Sequence, residues 1–168
     1  MQRFFWPVVL LAAGTYGLLI SWGAMTLHQA AGGLPSFDIR FSAYTADQAR
    51  AYIEALGETG RAFYLGPVRI LDTIFPLSFT LALVLGYFRW IGRERSGIRA
   101  ALVLVALVYL VCDMWENSGV AAMLLDPQAI DPAMVKQIHL VTLAKWFYAL
   151  FALAAWLWLG LANWRKRG

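Results

Sequence analysis

The sequence predicts an all-α fold, an integral membrane four-helix bundle. The first observation is composition: of 168 residues, 61% are hydrophobic and only 14% are charged, with a mean hydropathy of +0.61. Soluble domains are closer to half apolar and a quarter charged. The second is that the apolar residues gather in four stretches, and roughly 20 residues suffice to cross a bilayer core. The third is that these stretches lack the regular polar positions of a soluble amphipathic helix.

We place the four spans at about residues 4–27, 70–91, 98–125 and 137–163 of a single transmembrane domain, residues 1–168. The first stretch is free of charged residues, and the third is interrupted by Asp113 and Glu116. The fourth is interrupted by Lys145. The alternative for the first stretch is a cleaved signal peptide. We expect it to be retained, because its apolar region exceeds the 7–15 residues typical of signal peptides.

Basic residues fall unevenly on the two sides of these spans. One side carries eight Lys and Arg residues against the single acid Glu94: Arg3, Arg89, Arg93, Arg95, Arg99, Arg165, Lys166 and Arg167. The positive-inside rule therefore predicts a multi-pass protein of the cell inner membrane with cytoplasmic N- and C-termini. The sequence pI near 9.5 is explained by this topology and by anionic headgroups, so it predicts membrane lipids as partners and no nucleic acid.

The first outer loop, residues 28–69, is too long for a simple turn and contains a short amphipathic helix at about residues 46–56. Thr45 and Gln48 have the spacing of a capping box that opens this helix. One apolar face follows from the positions i, i+3, i+4 and i+7, which are Ala49, Tyr52, Ile53 and Leu56. Gly57 suits the C-terminal stop. This helix either lies on the membrane surface with a solvated polar face or forms a lid over an internal site.

We assign most Lys, Arg, Asp and Glu residues to loops, tails or helix ends, and four to the interior of the spans: Asp72, Asp113, Glu116 and Lys145. Such groups are costly in a membrane and usually face the bundle interior or a wet cavity. Asp113, Glu116 and Asn117 are spaced i, i+3 and i+4, so their side chains project from one helical face. With three carboxyls and one ammonium together, we expect at least one carboxyl to be protonated unless Arg69 folds inward.

Two interpretations of this cluster stay open. In the first, it performs acid–base chemistry or ligand binding, with Glu116, Lys145 and Asp72 as catalytic candidates. The ligand-binding candidates are then Asp113, Asn117, Tyr64, Arg69, Phe75, Trp115, Trp146 and Thr142. In the second, the cluster is a salt-bridged network that fixes helix register and does no chemistry. The sequence alone leaves open whether the protein is an enzyme.

Several classes of chemistry have no support in the sequence. Cys112 is the single cysteine, which excludes an internal disulfide relay. His28 and His139 are isolated at the membrane edge, so we predict no metal and no cofactor. The chain has no glycine-rich phosphate loop, nucleophile elbow or HExxH motif.

The segments Leu71-Asp72-Thr-Ile-Phe75-Pro76 and Asp113-Met-Trp-Glu116-Asn117 resemble uncharacterised bacterial four-span integral membrane proteins with LDxxFP and DxxEN motifs. This resemblance covers residues 45–150 and implies that these positions belong to one site, without implying an activity. In layout alone the chain is similar to the sterol isomerase and sigma-2 receptor group. That likeness implies a structured loop after the first span and buried acids around a lipid-accessible pocket.

The leading hypothesis is a polar pocket in the outer half of the bundle that binds or modifies a lipid or other hydrophobic small molecule. The alternative is a non-enzymatic assembly or accessory subunit, whose buried charges pair within the bundle or with a partner's helix. A small-residue face at Gly14 and Gly17 favours close packing within the bundle or in a homo-oligomer.

Overall fold

The computed structural model describes residues 2–166, and within that range the chain forms helices and connecting turns without a strand. The helices are α1 (Gln2–Leu18), α2 (Ala24–Ala30), α3 (Ala46–Phe63), α4 (Arg69–Trp90), α5 (Ser96–Leu125) and α6 (Pro132–Arg165). Short 3-10 turns lie at Phe37–Ile39, Arg93–Arg95 and Pro127–Ala129. The prediction of an all-α bundle is confirmed.

Four continuous helical segments in the described range are long and apolar enough to cross a membrane: Arg3–Ala30, Ala46–Trp90, Arg93–Leu125 and Pro132–Arg165. A π-helical turn at Leu19–Gly23 joins α1 to α2, and another at Tyr64–Val68 joins α3 to α4. The chain therefore has the helices of a multi-pass membrane protein. π-Helical turns are rare and occur frequently at functional sites.

The four spans pack side by side, and different residues meet at the two ends of the bundle. α1 packs against α4, α5 packs against α6, and α4 also contacts both α5 and α6. Phe5 of α1, Trp90 of α4 and Trp156 of α6 meet at one end, with the Phe5 and Trp156 rings stacked at 6.0 Å and the Trp90 and Trp156 rings at 4.9 Å. We call this the basic end, because Arg3, Arg89 and Arg165 lie near it. Arg167, which contributes to the same charge count, lies outside the described residues.

The opposite end, which we call the loop end, is built on α3. The expected capping box is present: the Thr45 hydroxyl accepts from the Gln48 amide at 3.2 Å, and the Thr45 amide donates to Gln48 Oε1 at 2.9 Å. Gly57 has a left-handed φ of 61°, as expected for a helix stop. We expected the second span to begin at about residue 70. Instead, α3 continues after Gly57, and helical structure runs from it into α4. The reason is that Tyr64 and Val68 are buried in the core at this level.

Gly86 of α4 leaves room for the Trp156 side chain of α6 to pack directly against the α4 backbone. A methyl group at this position would overlap the Trp156 indole, whose Nε1 donates to the Ala82 carbonyl at 3.1 Å. We expect Gly86→Ala to destabilise the bundle by about 1–3 kcal/mol through overpacking, measured by thermal unfolding in detergent. Gly14→Ala is the matched control, because a methyl group there meets no atom within 4 Å. Equal melting temperatures for the two variants would contradict this packing.

Candidate functional site

Lys145 of α6 lies at the centre of a buried ion cluster. Its side chain is 7% exposed, and the ammonium forms an ion pair with Glu116. The Nζ atom also lies 3.5 Å from Asp113 Oδ1 and 3.4 Å from Asp38 Oδ1. Asp113 and Glu116 are three residues apart on α5, so they reach the same ammonium from one helical face. Three carboxyls from two parts of the chain thus surround one cation.

A second group of residues supports the α5 part of this cluster. Glu116 is completely buried, and the Thr142 hydroxyl, one turn from Lys145, donates to it. The Asn117 side-chain amide donates to Asp113 Oδ2 at 3.1 Å and to the Asp72 carbonyl at 2.8 Å, which ties α5 to α4. Arg69 donates to the Asn117 carbonyl at 2.6 Å and does not enter the ion cluster.

Asp38 is a member of the site that the sequence analysis missed. It belongs to the segment of residues 34–45, which we call the strap, and the 3-10 turn Phe37–Ile39 positions it. Its Oδ2 accepts from the Tyr64 hydroxyl at 2.6 Å, and its backbone carbonyl accepts from Trp146 Nε1 at 2.9 Å. The available signal was an acid between two apolar residues, Phe37 and Ile39, in a loop segment that is itself rich in aromatic and apolar residues.

The strap is held down by Arg40 and aromatic rings. The Arg40 guanidinium lies over the rings of Phe37, Tyr44 and Tyr52 at 5.3, 5.0 and 5.0 Å, and its Nε donates to the Pro35 carbonyl at 3.0 Å. Burial lowers the pKa of Arg40, but arginine keeps its charge at neutral pH. Burial raises the pKa of Tyr44 to about 12, opposed by the charge of Arg40. Tyr44 therefore stays neutral beside this cation.

A cavity of about 440 Å³ extends from the ion cluster into the bundle. At its loop end it is lined by Asp38, Asp72, Asp113 and Lys145. The remainder is apolar and aromatic, with Phe75, Phe79, Tyr109, Leu153 and Trp156 among its walls. Trp156, packed on Phe5 and Trp90, forms the floor toward the basic end. This volume is within the range of small-molecule pockets.

The wall of the cavity between α1 and α6 is incomplete. The lining residues there are Tyr16 on α1, Ile20 on the π-helical turn that follows α1, and Leu150 on α6, and they are 40%, 52% and 59% exposed. Below them, Phe5 and Trp156 bring α1 and α6 together through stacked rings. The cavity thus opens sideways, on the surface that the acyl chains of a bilayer would cover.

The structure brings most of the predicted site residues together, but they differ in whether they line the cavity or lie behind its wall. Asp72, Asp113, Lys145, Phe75 and Trp146 line the cavity. Behind this wall lie Glu116 and Thr142, while a water-sized cavity of about 10 Å³ is bordered by Tyr64, Arg69, Asp72 and Asn117. Trp115, in contrast, is 55% exposed on the outer surface of α5 and lines neither cavity.

The two histidines lie away from the ion cluster. His28 is exposed at the end of α2, and His139 packs edge-on against Tyr44 at 6.1 Å between ring centroids. Within residues 2–166, no group of three or more His, Cys, Asp or Glu side chains is arranged to hold a metal ion.

Fold and site together define an all-α bundle with membrane-spanning helices and an internal cavity that is charged at one end and apolar at the other. Comparison with protein-family models gives no match, and neither the curated proteins nor the solved structures include one that the chain matches.

Proposed function

We propose that this protein binds or modifies a lipid or other hydrophobic small molecule in the cavity between α1, α4, α5 and α6. The observation that carries the proposal is the continuity of one cavity from the Lys145 ion cluster to the Trp156 floor. Such a shape accommodates an amphiphile with its polar group at the ions and its apolar part among the aromatic rings. The opening between Tyr16 and Leu150 supports uptake directly from the bilayer.

We further propose that the basic end faces the cytoplasm and that the protein resides in the bacterial inner membrane. The distribution of Lys and Arg supports this orientation, since they accumulate around the end marked by Phe5, Trp90 and Trp156. The ion cluster then lies in the outer half of the membrane, and the ligand is a molecule of the outer leaflet.

If the ligand is modified, the geometry divides the roles among the three catalytic candidates. Lys145 and Asp72 line the cavity and are the groups that contact the ligand. Glu116 lies behind Lys145 and acts as a positioning residue that holds the ammonium in place. Acid–base chemistry would then use Asp72 or Asp113 as the carboxyl that exchanges a proton with the ligand.

The alternative, an accessory subunit with no ligand, has one observation in its favour. Lys145 finds its carboxylate partners within the chain, so the cluster needs no charge from a partner's helix and can serve to fix helix register. It leaves unexplained why the cluster borders a cavity of about 440 Å³.

Obstructing the cavity tests the proposal. Ala149 of α6 lines the cavity, so Ala149→Phe should fill part of it, since the aromatic side chain is much larger. In native mass spectrometry we expect the wild type to retain a bound hydrophobic molecule from the membrane and this variant to lose most of it. Ala154→Phe is the control, because Ala154 is exposed on the same helix and does not line the cavity. A wild-type protein that carries nothing and takes up no added amphiphile would contradict the proposal.

A further inference from the structure

We propose that the polar group of the ligand is a positively charged amine, carried on a single apolar body. This inference rests on the proposed function and adds the chemical class of the ligand. It is drawn from the balance of charges around the cavity, from one carboxyl without a partner, and from the aromatic rings beside that carboxyl.

The charge at the polar end of the cavity is dominated by carboxyls. Three acids line this end, Asp38, Asp72 and Asp113, together with one cation, Lys145. The positive charge of Lys145 is already matched by Glu116, which is completely buried behind it and does not line the cavity. The surface that faces a ligand therefore has more negative than positive groups. A surplus of this kind in a low-dielectric site is neutralised either by protons or by a bound cation.

Asp72 is the cavity-lining carboxyl with unused hydrogen-bonding capacity. Its backbone carbonyl accepts from Asn117, but within residues 2–166 its carboxyl group makes no hydrogen bond and no ion pair with a side chain. Asp38 and Asp113, in contrast, are each held by Lys145 and by a second donor. Once paired with a cation, an ionised carboxyl accepts hydrogen bonds and donates none, so Asp72 is suited to a ligand that carries charged N–H groups.

Aromatic rings lie on the same side of the cavity as Asp72. Phe75 is three residues further along α4, on the same helical face, and its ring packs against Tyr16 at 5.0 Å and Phe79 at 5.4 Å. A cation placed at Asp72 would lie close to these ring faces, which attract positive charge. An anionic head, such as a carboxylate or a phosphate, would instead meet three acids.

The size of the cavity indicates a single apolar body. About 440 Å³ is near the lower end of the range for small-molecule pockets, which extends to roughly 1,000 Å³. The floor formed by Trp156 limits how far the tail reaches toward the basic end. A double-chain phospholipid would have to leave a chain outside, through the opening between α1 and α6.

A series of amphiphiles with one tail and three different heads tests the inference. The protein is placed in nanodiscs of zwitterionic lipid and titrated with dodecylamine, dodecanol and dodecanoate, with binding followed by native mass spectrometry and by the shift in melting temperature. We expect dodecylamine to bind one to one and at least ~10-fold more tightly than dodecanol, because a hydrogen bond between charged groups is stronger than one to a neutral hydroxyl. Dodecanoate should bind most weakly.

Three variants test whether the preference for dodecylamine depends on Asp72 and on the cavity. Asp72→Asn should reduce dodecylamine affinity by ~10-fold while leaving dodecanol affinity unchanged. Glu54→Gln, an exposed acid of α3, is the matched control for the general negative potential of this end and should alter neither. Ala149→Phe should weaken dodecylamine and dodecanol alike.

The outcomes separate this inference from the proposed function. If the three amphiphiles bind with equal affinity and Ala149→Phe blocks them all, the cavity is a binding site and the amine assignment is wrong. If dodecanoate binds most tightly, the amine assignment is also wrong, and Lys145 controls the head group. If no amphiphile binds to the folded wild type, both the inference and the proposed function fail.

Discussion

Lys145→Met is expected to destabilise the protein by about 3–5 kcal/mol, which is the cost of removing one partner from a buried ion pair. In the wild type, the ammonium pairs with Glu116 and lies within 3.5 Å of Asp113 and Asp38. Without it, three carboxyls face one another with no cation between them. We expect a large fall in melting temperature in detergent and a lower yield of monodisperse protein.

Two comparisons make this expectation specific. Lys136→Met removes the same charge from an exposed position on the same helix and should leave the melting temperature unchanged. The double variant Lys145→Met, Glu116→Gln should recover part of the loss, because the most deeply buried carboxyl is removed together with its cation. If Lys145→Met melts at the temperature of Lys136→Met, the ion cluster does not stabilise the fold.

Phe37→Ala is expected to release the strap from the bundle. Phe37 is completely buried, and its ring centroid lies 5.0 Å from that of Tyr52 and 5.8 Å from that of Tyr44. The Arg40 guanidinium lies over the Phe37 ring. Truncating a buried Phe to Ala costs about 3–5 kcal/mol. We expect this loss to open the strap, even though Arg40, the ion pair between Asp38 and Lys145, and a few hydrogen bonds also hold it. Hydrogen exchange of the amides of residues 34–45 should accelerate strongly.

The neighbouring aromatic residue supplies the control. Phe41 lies in the same strap but is 56% exposed and contacts Trp146 at 5.8 Å between ring centroids. Phe41→Ala should therefore leave hydrogen exchange across the strap nearly unchanged. Rapid exchange in both variants would show that the strap is loosely held and that Phe37 does not anchor it.

Much of the fold could be predicted from the sequence, because its signals are local. Long apolar stretches identify spans, and the Thr45 and Gln48 spacing identifies the start of α3. The convergence of Asp113 and Glu116 on Lys145 could also be predicted, since helical periodicity places both acids on one face and charge pairing brings the cation to them.

Other parts of the site depend on contacts that no local pattern encodes. Asp38 reaches Lys145 across a sequence separation of 107 residues, through a strap whose path is set by Arg40 and three aromatic rings. The cavity depends on the order in which the helices pack, which leaves α1 and α6 apart beside it. The outward position of Trp115 could have been predicted, because a turn of about 100° per residue separates it from Glu116.

The aromatic floor at Trp156 closes the cavity toward the basic end. With Phe5, Trp90 and Trp156 packed together at the basic end, the cavity has its charged groups at one end and its closed wall at the other. A ligand of the kind we propose would therefore leave through the loop end or through the opening between α1 and α6. We expect the bundle to exchange such a ligand with one leaflet of its membrane and to be closed toward the other.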